Sequence, residues 1–136
     1  MAISYKIFPN ERLIRVSATG IVRSKDMDGF VDALLADPAL EPRLRVLYDA
    51  RYSEPDVPIL QLAEVAGRAQ RLMDRGVLRF AMVAESKTTL RMAKTFAVLA
   101  RSLGTDVEVF TELHTAEAWL QDARAMTDTE ETPLPS

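Results

Sequence analysis

The sequence has no cysteine, a single histidine and only five glycines, which lie far apart. The absence of cysteine excludes disulfide bonds, thiolate catalysis and cysteine-ligated zinc, and it is typical of proteins in a reducing compartment. The glycines, at positions 20, 29, 67, 76 and 104, form neither a G-x-G-x-x-G dinucleotide loop nor a P-loop. The common loops that hold nucleotide phosphates are therefore absent.

The chain also lacks an excess of basic residues and any long apolar run. Its formal net charge is −3, so neither nucleic acid nor an anionic membrane surface is a favoured partner. The longest stretch without a charged residue is seven residues, far below the roughly 18 needed to cross a bilayer. The first residues show no basic segment followed by an apolar one, which is the pattern of a signal peptide. We expect a cytoplasmic protein that does not span a membrane.

What the chain does have is enough apolar residues for one domain. With 136 residues and 48% hydrophobic content, it can fill one core without a structural metal. We place this single domain at residues 1–124. Residues 125–136 are polar, acidic and rich in proline, and they predict a disordered tail.

Hydrophobic periodicity predicts five strands and four helices. The strands are expected at 4–8, 12–19, 44–48, 78–84 and 106–110. The helices are expected to begin at Ser24, near Asp56 to Pro58, at Ser86 or Thr88, and at Glu112. A loop should lead from the third strand to the second helix, which should bury Ile59 and end at Gly76. The fourth helix should end at about Ala123. Helices between successive strands require crossover connections, so only the first two strands form an antiparallel pair. The order β-β-α-β-α-β-α-β-α thus predicts an α/β fold with a five-stranded, mostly parallel mixed sheet.

Two stretches carry a resemblance to a known family. Tyr48-Asp49-Ala50-Arg51 ends the predicted central strand, and Val109-Phe110 is followed by Ala116-Glu117-Ala118-Trp119-Leu120 near the end of the domain. Together with the element order, they resemble the SpoIIAA-like group of small bacterial proteins, which is related to STAS and Sec14-type domains. The resemblance covers the chain up to about Ala123 and implies a small α/β sandwich of the STAS-like type. It implies regulatory protein binding, as in STAS relatives, or binding of a lipid or small hydrophobic ligand, as in Sec14 relatives.

The resemblance also implies one modification site. In regulatory STAS proteins a phosphorylatable serine lies in an Asp-Ser-Ser-Gly-like turn after the central strand. The comparable stretch here lacks that motif, and only Ser53 could correspond to the serine. A phosphate on Ser53 would lie beside Glu54 and Asp56, whose charges repel it. Ser53 is thus a phosphorylation candidate that departs from the family pattern.

The candidate binding site is the edge of the sheet where the parallel strands end. In open α/β sheets ligands collect at this edge, because helix amino ends there present free N–H groups. The candidate residues for binding a ligand or partner are Asp49, Arg51, Tyr52, Ser53, Ser86, Lys87, Thr88 and Arg91. Three of them, Arg51, Lys87 and Arg91, are suited to an anionic ligand. We expect the segments beginning at Arg51 and Glu85 to leave adjacent strands side by side.

The same residues also permit a purely structural interpretation. Asp49 and Arg51 would pair with each other, and Lys87 would be solvated. Ser86 and Thr88 would only cap their helix. Surface ion pairs and helix caps are far commoner than binding sites, so this alternative stays open.

Three further interpretations concern the core and catalysis. A set of methionine and phenylalanine residues either lines an apolar ligand cavity or is ordinary core filling. These residues are Met27, Met73, Met82, Met92, Phe30, Phe80 and Phe96. A hydrolase would have to use Ser53 and His114, for which no G-x-S-x-G context exists. The carboxylate groups lack histidine partners and a calcium-loop pattern, so we predict no metal and no cofactor.

We therefore predict a non-enzymatic binding module. The leading hypothesis is regulatory protein–protein interaction, with a second copy of the chain as one candidate partner. The alternative is a carrier of a lipid or other small hydrophobic molecule, which requires a cavity of about 300 Å³ or more.

Overall fold

The computed structural model describes the backbone of residues 2–131 and the side chains of residues 2–122. Within these residues five strands form one sheet. They are β1 (Ile3–Phe8), β2 (Leu13–Arg23), β3 (Arg45–Asp56), β4 (Phe80–Val83) and β5 (Val107–Phe110). The helices are α1 (Ser24–Ala36), α2 (Ile59–Asp74), α3 (Lys87–Ser102) and α4 (Leu113–Glu131). This order confirms the predicted β-β-α-β-α-β-α-β-α succession.

The strands lie in the sheet in the same order as in the chain. β1 is antiparallel to β2, and β2, β3, β4 and β5 are parallel to one another. Right-handed crossovers between successive neighbouring strands place their helices on the same face of a sheet. α1 accordingly contacts α2, and α2 contacts α3, whereas α4 contacts β3, β4 and β5. The mixed five-stranded sheet is thus covered by three helices on one face and by α4 on the other.

The larger core lies between the sheet and helices α1, α2 and α3, and we call this face the three-helix face. Its fully buried side chains include Ile14, Val46, Leu34, Leu62 and Leu72. The core under α4 is much smaller. It consists of Leu13, Leu47, Ala81, Val83, Ala116 and Leu120. The alternation of side chains along each strand assigns successive residues to these two cores.

β3 is longer than the sequence predicts, because it continues through residues 49–56 where we expected a loop. After an irregularity between Ser17 and Thr19, β2 and β3 pair again, from Thr19 opposite Tyr52 to Arg23 opposite Asp56. β4 pairs with β3 only as far as Asp49. Beyond this point β2 and β3 form a two-stranded ribbon. Pro55 has no backbone N–H, but it is tolerated because the edge of β3 away from β2 makes no hydrogen bonds to a further strand.

Helix boundaries confirm some predictions and correct others. Ser86 is the N-cap of α3, as expected. The N-cap of α2 is Pro58, within the predicted start at Asp56 to Pro58, and the helix runs from Ile59. Ile59 is 65% exposed, where the helical spacing predicts a buried residue. Gly76 follows α2 with a φ of +100°, as predicted, and a Cβ there would lie 2.8 Å from Pro42 Cα. A side chain at this position would therefore be both strained and obstructed.

α4 continues past Ala123, where we expected its end, to Glu131. Residues 132–136 of the expected tail lie outside the described residues. The boundary at residue 124 and the disorder of the tail stay predictions. Among the residues that the structure covers, no helix is long and apolar enough to span a bilayer.

Candidate binding site

The two segments that the sequence assigns to the site, beginning at Arg51 and at Glu85, leave adjacent strands. β3 and β4 are adjacent and parallel, with Asp49 opposite Val83. The Thr89 hydroxyl of α3 donates a hydrogen bond to the Ser53 carbonyl at 3.0 Å, which ties the start of α3 to β3. The carboxyl ends of these strands and the amino ends of α2 and α3 therefore share one edge of the molecule.

Ser53 and Ser86 belong to a hydrogen-bonded network that fastens α3 to the sheet. The Ser53 side chain donates to the Ala50 carbonyl at 2.9 Å, and the residue is 7% exposed. The Ser86 hydroxyl accepts from the Thr89 backbone N–H at 3.2 Å and donates to the Thr89 hydroxyl at 2.8 Å. These groups satisfy one another, so their evident role is structural. Phosphorylation of Ser53 stays a prediction, and it would require this segment to open.

Asp49 and Arg51 form a bidentate ion pair. Arg51 Nε donates to Asp49 Oδ1 and Arg51 Nη2 to Asp49 Oδ2, both at 2.9 Å. Hydrogen bonding from the Arg51 side chain lowers the pKa of Asp49 below its usual value, and the same pair raises the pKa of Arg51. Both groups are therefore charged at neutral pH. The local pairing that the structural interpretation predicts is confirmed for these two residues.

Tyr52 is the exposed aromatic residue of the edge. Its neighbour Ser53 faces the three-helix face, so alternation turns Tyr52 to the other side of the ribbon. Tyr52 is 64% exposed, and the Arg51 guanidinium lies 5.2 Å from its ring centroid. Ile21 is 51% exposed. It lies on the same side of the ribbon as Tyr52, because Tyr52 pairs with Thr19 and Ile21 is two residues after Thr19 in β2. We call Ile21, Arg51 and Tyr52 the Tyr52 surface.

Lys87, Thr88 and Arg91 lie on the other side of the sheet, along the exposed flank of α3. Lys87 and Arg91 line an open depression of about 430 Å³, together with further residues of the same helix. These further residues are Leu90, Lys94, Thr95 and Val98. We call the six lining residues the α3 flank. The predicted site lacks these four residues, although the spacing of Lys94 and Val98 from Lys87 and Arg91 is helical.

The methionine and phenylalanine residues of the two open interpretations surround a small space inside the three-helix face. Six of the seven predicted residues line it, and only Met73 does not. The volume of this space is about 50 Å³. Tyr48 also lines the cavity, and burial raises the pKa of its hydroxyl above the ordinary value. The space is well below the size that we required of a lipid carrier.

The Ser53 and His114 pair is not brought together. Ser53 lines the cavity on the three-helix face, whereas His114 lies at the start of α4 on the opposite face. The His114 side chain is 81% exposed and lies 3.2 Å from Glu112. The sheet separates the two groups, so they cannot act as a nucleophile and its base. Within the part of the chain that the structure describes, no cluster of three metal-binding side chains occurs.

Comparisons with known proteins support the fold. A family model described as SpoIIAA-like matches residues 13–121. The crystal structure of an uncharacterized DUF3478 protein from Shewanella loihica PV-4, which has a SpoIIAA-like fold, superimposes with a TM-score of 0.55. The two chains are 15% identical, and the match covers 88% of this chain and 92% of the other. No curated protein gives a significant sequence match. At this identity the structural likeness concerns the fold alone.

Proposed function

The chain belongs to the SpoIIAA-like family, and from this premise we propose that it is a non-enzymatic regulatory module that binds a protein partner through the Tyr52 surface. The observation that carries the proposal is the exposed Tyr52 ring beside the paired Arg51 guanidinium. Tyrosine and arginine are enriched among the residues that dominate binding energy at protein interfaces. Here both occur together at the end of a strand. A cytoplasmic location fits the absence of cysteine and belongs to the same proposal.

The Tyr52 side chain is positioned before any partner arrives. Asp49 holds the Arg51 guanidinium in a bidentate pair, and Arg51 in turn lies beside the Tyr52 ring. β3 is fixed at this point by its pairing with β2 and by the hydrogen bond from Thr89. A side chain that is already ordered loses less conformational entropy on binding. Rigid aromatic groups of this kind are favourable contact points for a partner.

A quantitative capture experiment tests the proposal. Wild type and a Tyr52→Ala, Ile21→Thr double variant would be immobilised and exposed to lysate of the native host with a reversible crosslinker. Loss of a central aromatic contact costs about 2 kcal/mol or more, so partner recovery should fall at least about tenfold. Leu103→Ala, which truncates an exposed apolar side chain at the opposite end of α3, is the matched control. Equal recovery by wild type and the double variant would contradict the proposal.

Sedimentation velocity distinguishes a second copy of the chain from a different protein. If the partner is a second copy, wild type should sediment faster as its concentration rises, and the Tyr52→Ala variant should not. If the partner is another protein, both should sediment as monomers at every concentration. Both proteins must show the same circular dichroism, because exposed substitutions of this kind change stability by about 0.5 kcal/mol or less.

The apolar cavity favours a second candidate function, the binding of a small hydrophobic ligand. Its walls combine three methionines with Phe30, Phe80 and Phe96. Methionine adapts to irregular shapes, so outward movement of α3 would enlarge the present volume. Native mass spectrometry of the freshly purified protein would detect a retained ligand. Ala93→Val adds two methyl groups to the cavity wall and should abolish that extra mass, whereas ligand-free wild type would contradict this function.

A further inference from the structure

Several arginines of this protein pair with an acidic side chain. Arg15 pairs with Glu117 at 2.8 Å, Arg79 with Asp106 at 2.7 Å and Arg101 with Glu108 at 2.8 Å. Three cations on the α3 flank have no such partner. Within the described residues Lys87, Arg91 and Lys94 take part in no ion pair and no side-chain hydrogen bond. Lys25 and Arg71 also lack an ion pair there, but they lie singly on α1 and α2, whereas α3 places three such charges along one side.

The composition of α3 sets it apart from the rest of the chain. Between Lys87 and Ser102 it contains four basic residues and no acidic residue, although the whole chain has a net charge of −3. The spacing of Lys87, Arg91 and Lys94 is i, i+4 and i+7, which keeps them on one side over about 10 Å. The partial positive charge of the helix amino end adds to theirs.

This arrangement has a cost for the isolated protein. Like charges at i, i+3 and i, i+4 repel each other and destabilise a helix by a few tenths of a kcal/mol per pair. An ordinary solvated helix would relieve the repulsion with a glutamate among the lysines. α1 does combine the two signs, with Lys25 close to Asp26 and Asp28. The α3 flank therefore has the electrostatic character of a surface that an anionic partner neutralises.

The shape of the α3 flank favours a segment of a protein as that partner. The cations surround an open depression that also contains Leu90 and Val98, and Val98 is 63% exposed. All of the lining residues belong to α3. The three cations and Val98 are exposed, whereas Leu90 packs in part against the core. Charged groups around an apolar strip match an amphipathic segment with carboxylates and one or two apolar side chains. Three cations fall short of the four to eight that mark a site for anionic lipid.

We propose that the α3 flank binds an acidic, amphipathic segment of a partner protein. Carboxylates of this segment pair with Lys87, Arg91 and Lys94, and an apolar side chain packs against Val98. The surface lies on the opposite side of the sheet from the Tyr52 surface. It therefore stands independently of the proposed function.

Fluorescence anisotropy with a defined probe tests the proposal. The probe is a fluorescein-labelled, helix-forming peptide with glutamates at i, i+4 and i+7 and leucines at i+3 and i+11. A second peptide carries glutamines in place of the glutamates. Wild type should bind the acidic peptide at least about tenfold more tightly than the glutamine peptide. The difference should shrink as salt rises from about 50 to about 200 mM, because exposed charges are screened.

Two matched variants locate the binding surface. Arg91→Glu with Lys94→Glu reverses two charges on the α3 flank, and Lys25→Glu with Arg71→Glu reverses two exposed charges on α1 and α2. Both variants change the net charge equally. The first should lose at least about tenfold in affinity for the acidic peptide, and the second less than about twofold. Circular dichroism must show that both variants are folded.

Other outcomes overturn the proposal. Equal losses in the two variants would mean that net charge alone attracts the peptide. Tighter binding to phosphatidylserine vesicles than to the peptide would assign the flank to a membrane. No binding of the acidic peptide by wild type also contradicts it. Tyr52→Ala should leave peptide binding unchanged, and this control separates failure here from failure of the Tyr52 surface.

Discussion

The two faces of the sheet are held to their helices by different interactions. On the three-helix face an aromatic row crosses the sheet, with ring centroids 5.9 to 6.4 Å apart from one ring to the next. Its members are Tyr5, Phe30, Tyr48, Phe80 and Phe96. The α4 face has a small apolar core and one aromatic pair, Phe110 and Trp119, at 5.7 Å. Apolar packing therefore contributes less of the attachment on the α4 face.

On the α4 face two arginines add polar contacts to the smaller apolar core. Arg45 is 2% exposed, and its Nη1 donates to the Leu120 carbonyl at 2.7 Å while other guanidinium nitrogens donate to the carbonyls of Glu11 and Arg12. Arg79 donates to the Trp119 carbonyl at 3.2 Å and lies 4.1 Å from the Trp119 ring centroid. Both arginines lie where strands begin. Polar groups thus fasten α4 at the amino ends of the strands, while Tyr52 and the first residues of the α3 flank are exposed at the carboxyl ends.

The largest expected effect comes from one matched pair of leucine truncations. Leu34 in α1 is 0% exposed and Leu120 in α4 is 1% exposed. Leu34→Ala should lower the free energy of unfolding by about 4 kcal/mol, because three packed helices cannot collapse into the cavity. Leu120→Ala should cost about 2.5 kcal/mol, because α4 alone can shift toward the sheet. Urea unfolding followed by circular dichroism measures both losses. If Leu120→Ala lowered the free energy of unfolding as much as Leu34→Ala or more, the α4 face would not be the less apolar attachment.

The sequence predicts the order of elements, because hydrophobic periodicity and the caps at Ser86 and Gly76 are local signals. It does not predict the extension of β3 to Asp56. Pro55 and the neighbouring acidic residues have low strand propensity. Their pairing with β2 overrides this propensity, and it joins residues that are far apart in the chain. Helical spacing also does not predict the exposure of Ile59, which lies in the first turn of α2.

The candidate site could be predicted only in part, because its geometry also depends on pairing between distant parts of the chain. The edge and its residues follow from the parallel connections, and Asp49 and Arg51 are close in sequence. Which side of the sheet each residue faces depends on the irregularity between Ser17 and Thr19. Because of that irregularity Ser53 faces the core of the three-helix face and Tyr52 faces the opposite side. No local sequence pattern indicates the irregularity. The division of the site into two separate surfaces therefore requires the tertiary structure.

The second prediction tests the polar attachment of α4. Arg45→Met keeps much of the side-chain volume but removes the donors to Leu120 and Glu11. We expect the free energy of unfolding to fall by about 2 to 3 kcal/mol, since buried carbonyls lose their partners. Arg15→Met is the control, because its ion pair with Glu117 is about 40% exposed and such pairs contribute about 1 kcal/mol or less. A thermal melt in which the two variants coincide would contradict this role of Arg45.

The third prediction concerns alkaline pH and the three-helix face. Burial, followed by the hydrogen bond to Asp37, raises the pKa of Tyr5 to about 12, and burial raises the pKa of Tyr48. Because both pKa values are higher in the folded protein, their contributions to stability are complete below pH 10 and are lost as the pH rises. The urea midpoint should therefore fall above about pH 10. Absorbance near 295 nm would follow ionisation, and in the Tyr5→Phe, Tyr48→Phe variant the midpoint should fall less.

The smallest expected effect links the α4 face to the proposed partner. The pKa of Asp49 is lowered, chiefly by hydrogen bonding from Arg51, so its contribution to stability is present above its unfolded pKa of about 3.9 and is lost as the pH falls through the lower folded value. Asp49→Asn should change the urea midpoint little at neutral pH, since the pair is partly exposed. It should nevertheless weaken capture of a partner, because Arg51 no longer has a charged acceptor that holds it beside Tyr52. Glu117→Gln removes another ion pair of this face, with Arg15, and should leave capture unchanged. If Asp49→Asn captures as much partner as wild type, then the ordering of Tyr52 by Arg51 contributes nothing to binding.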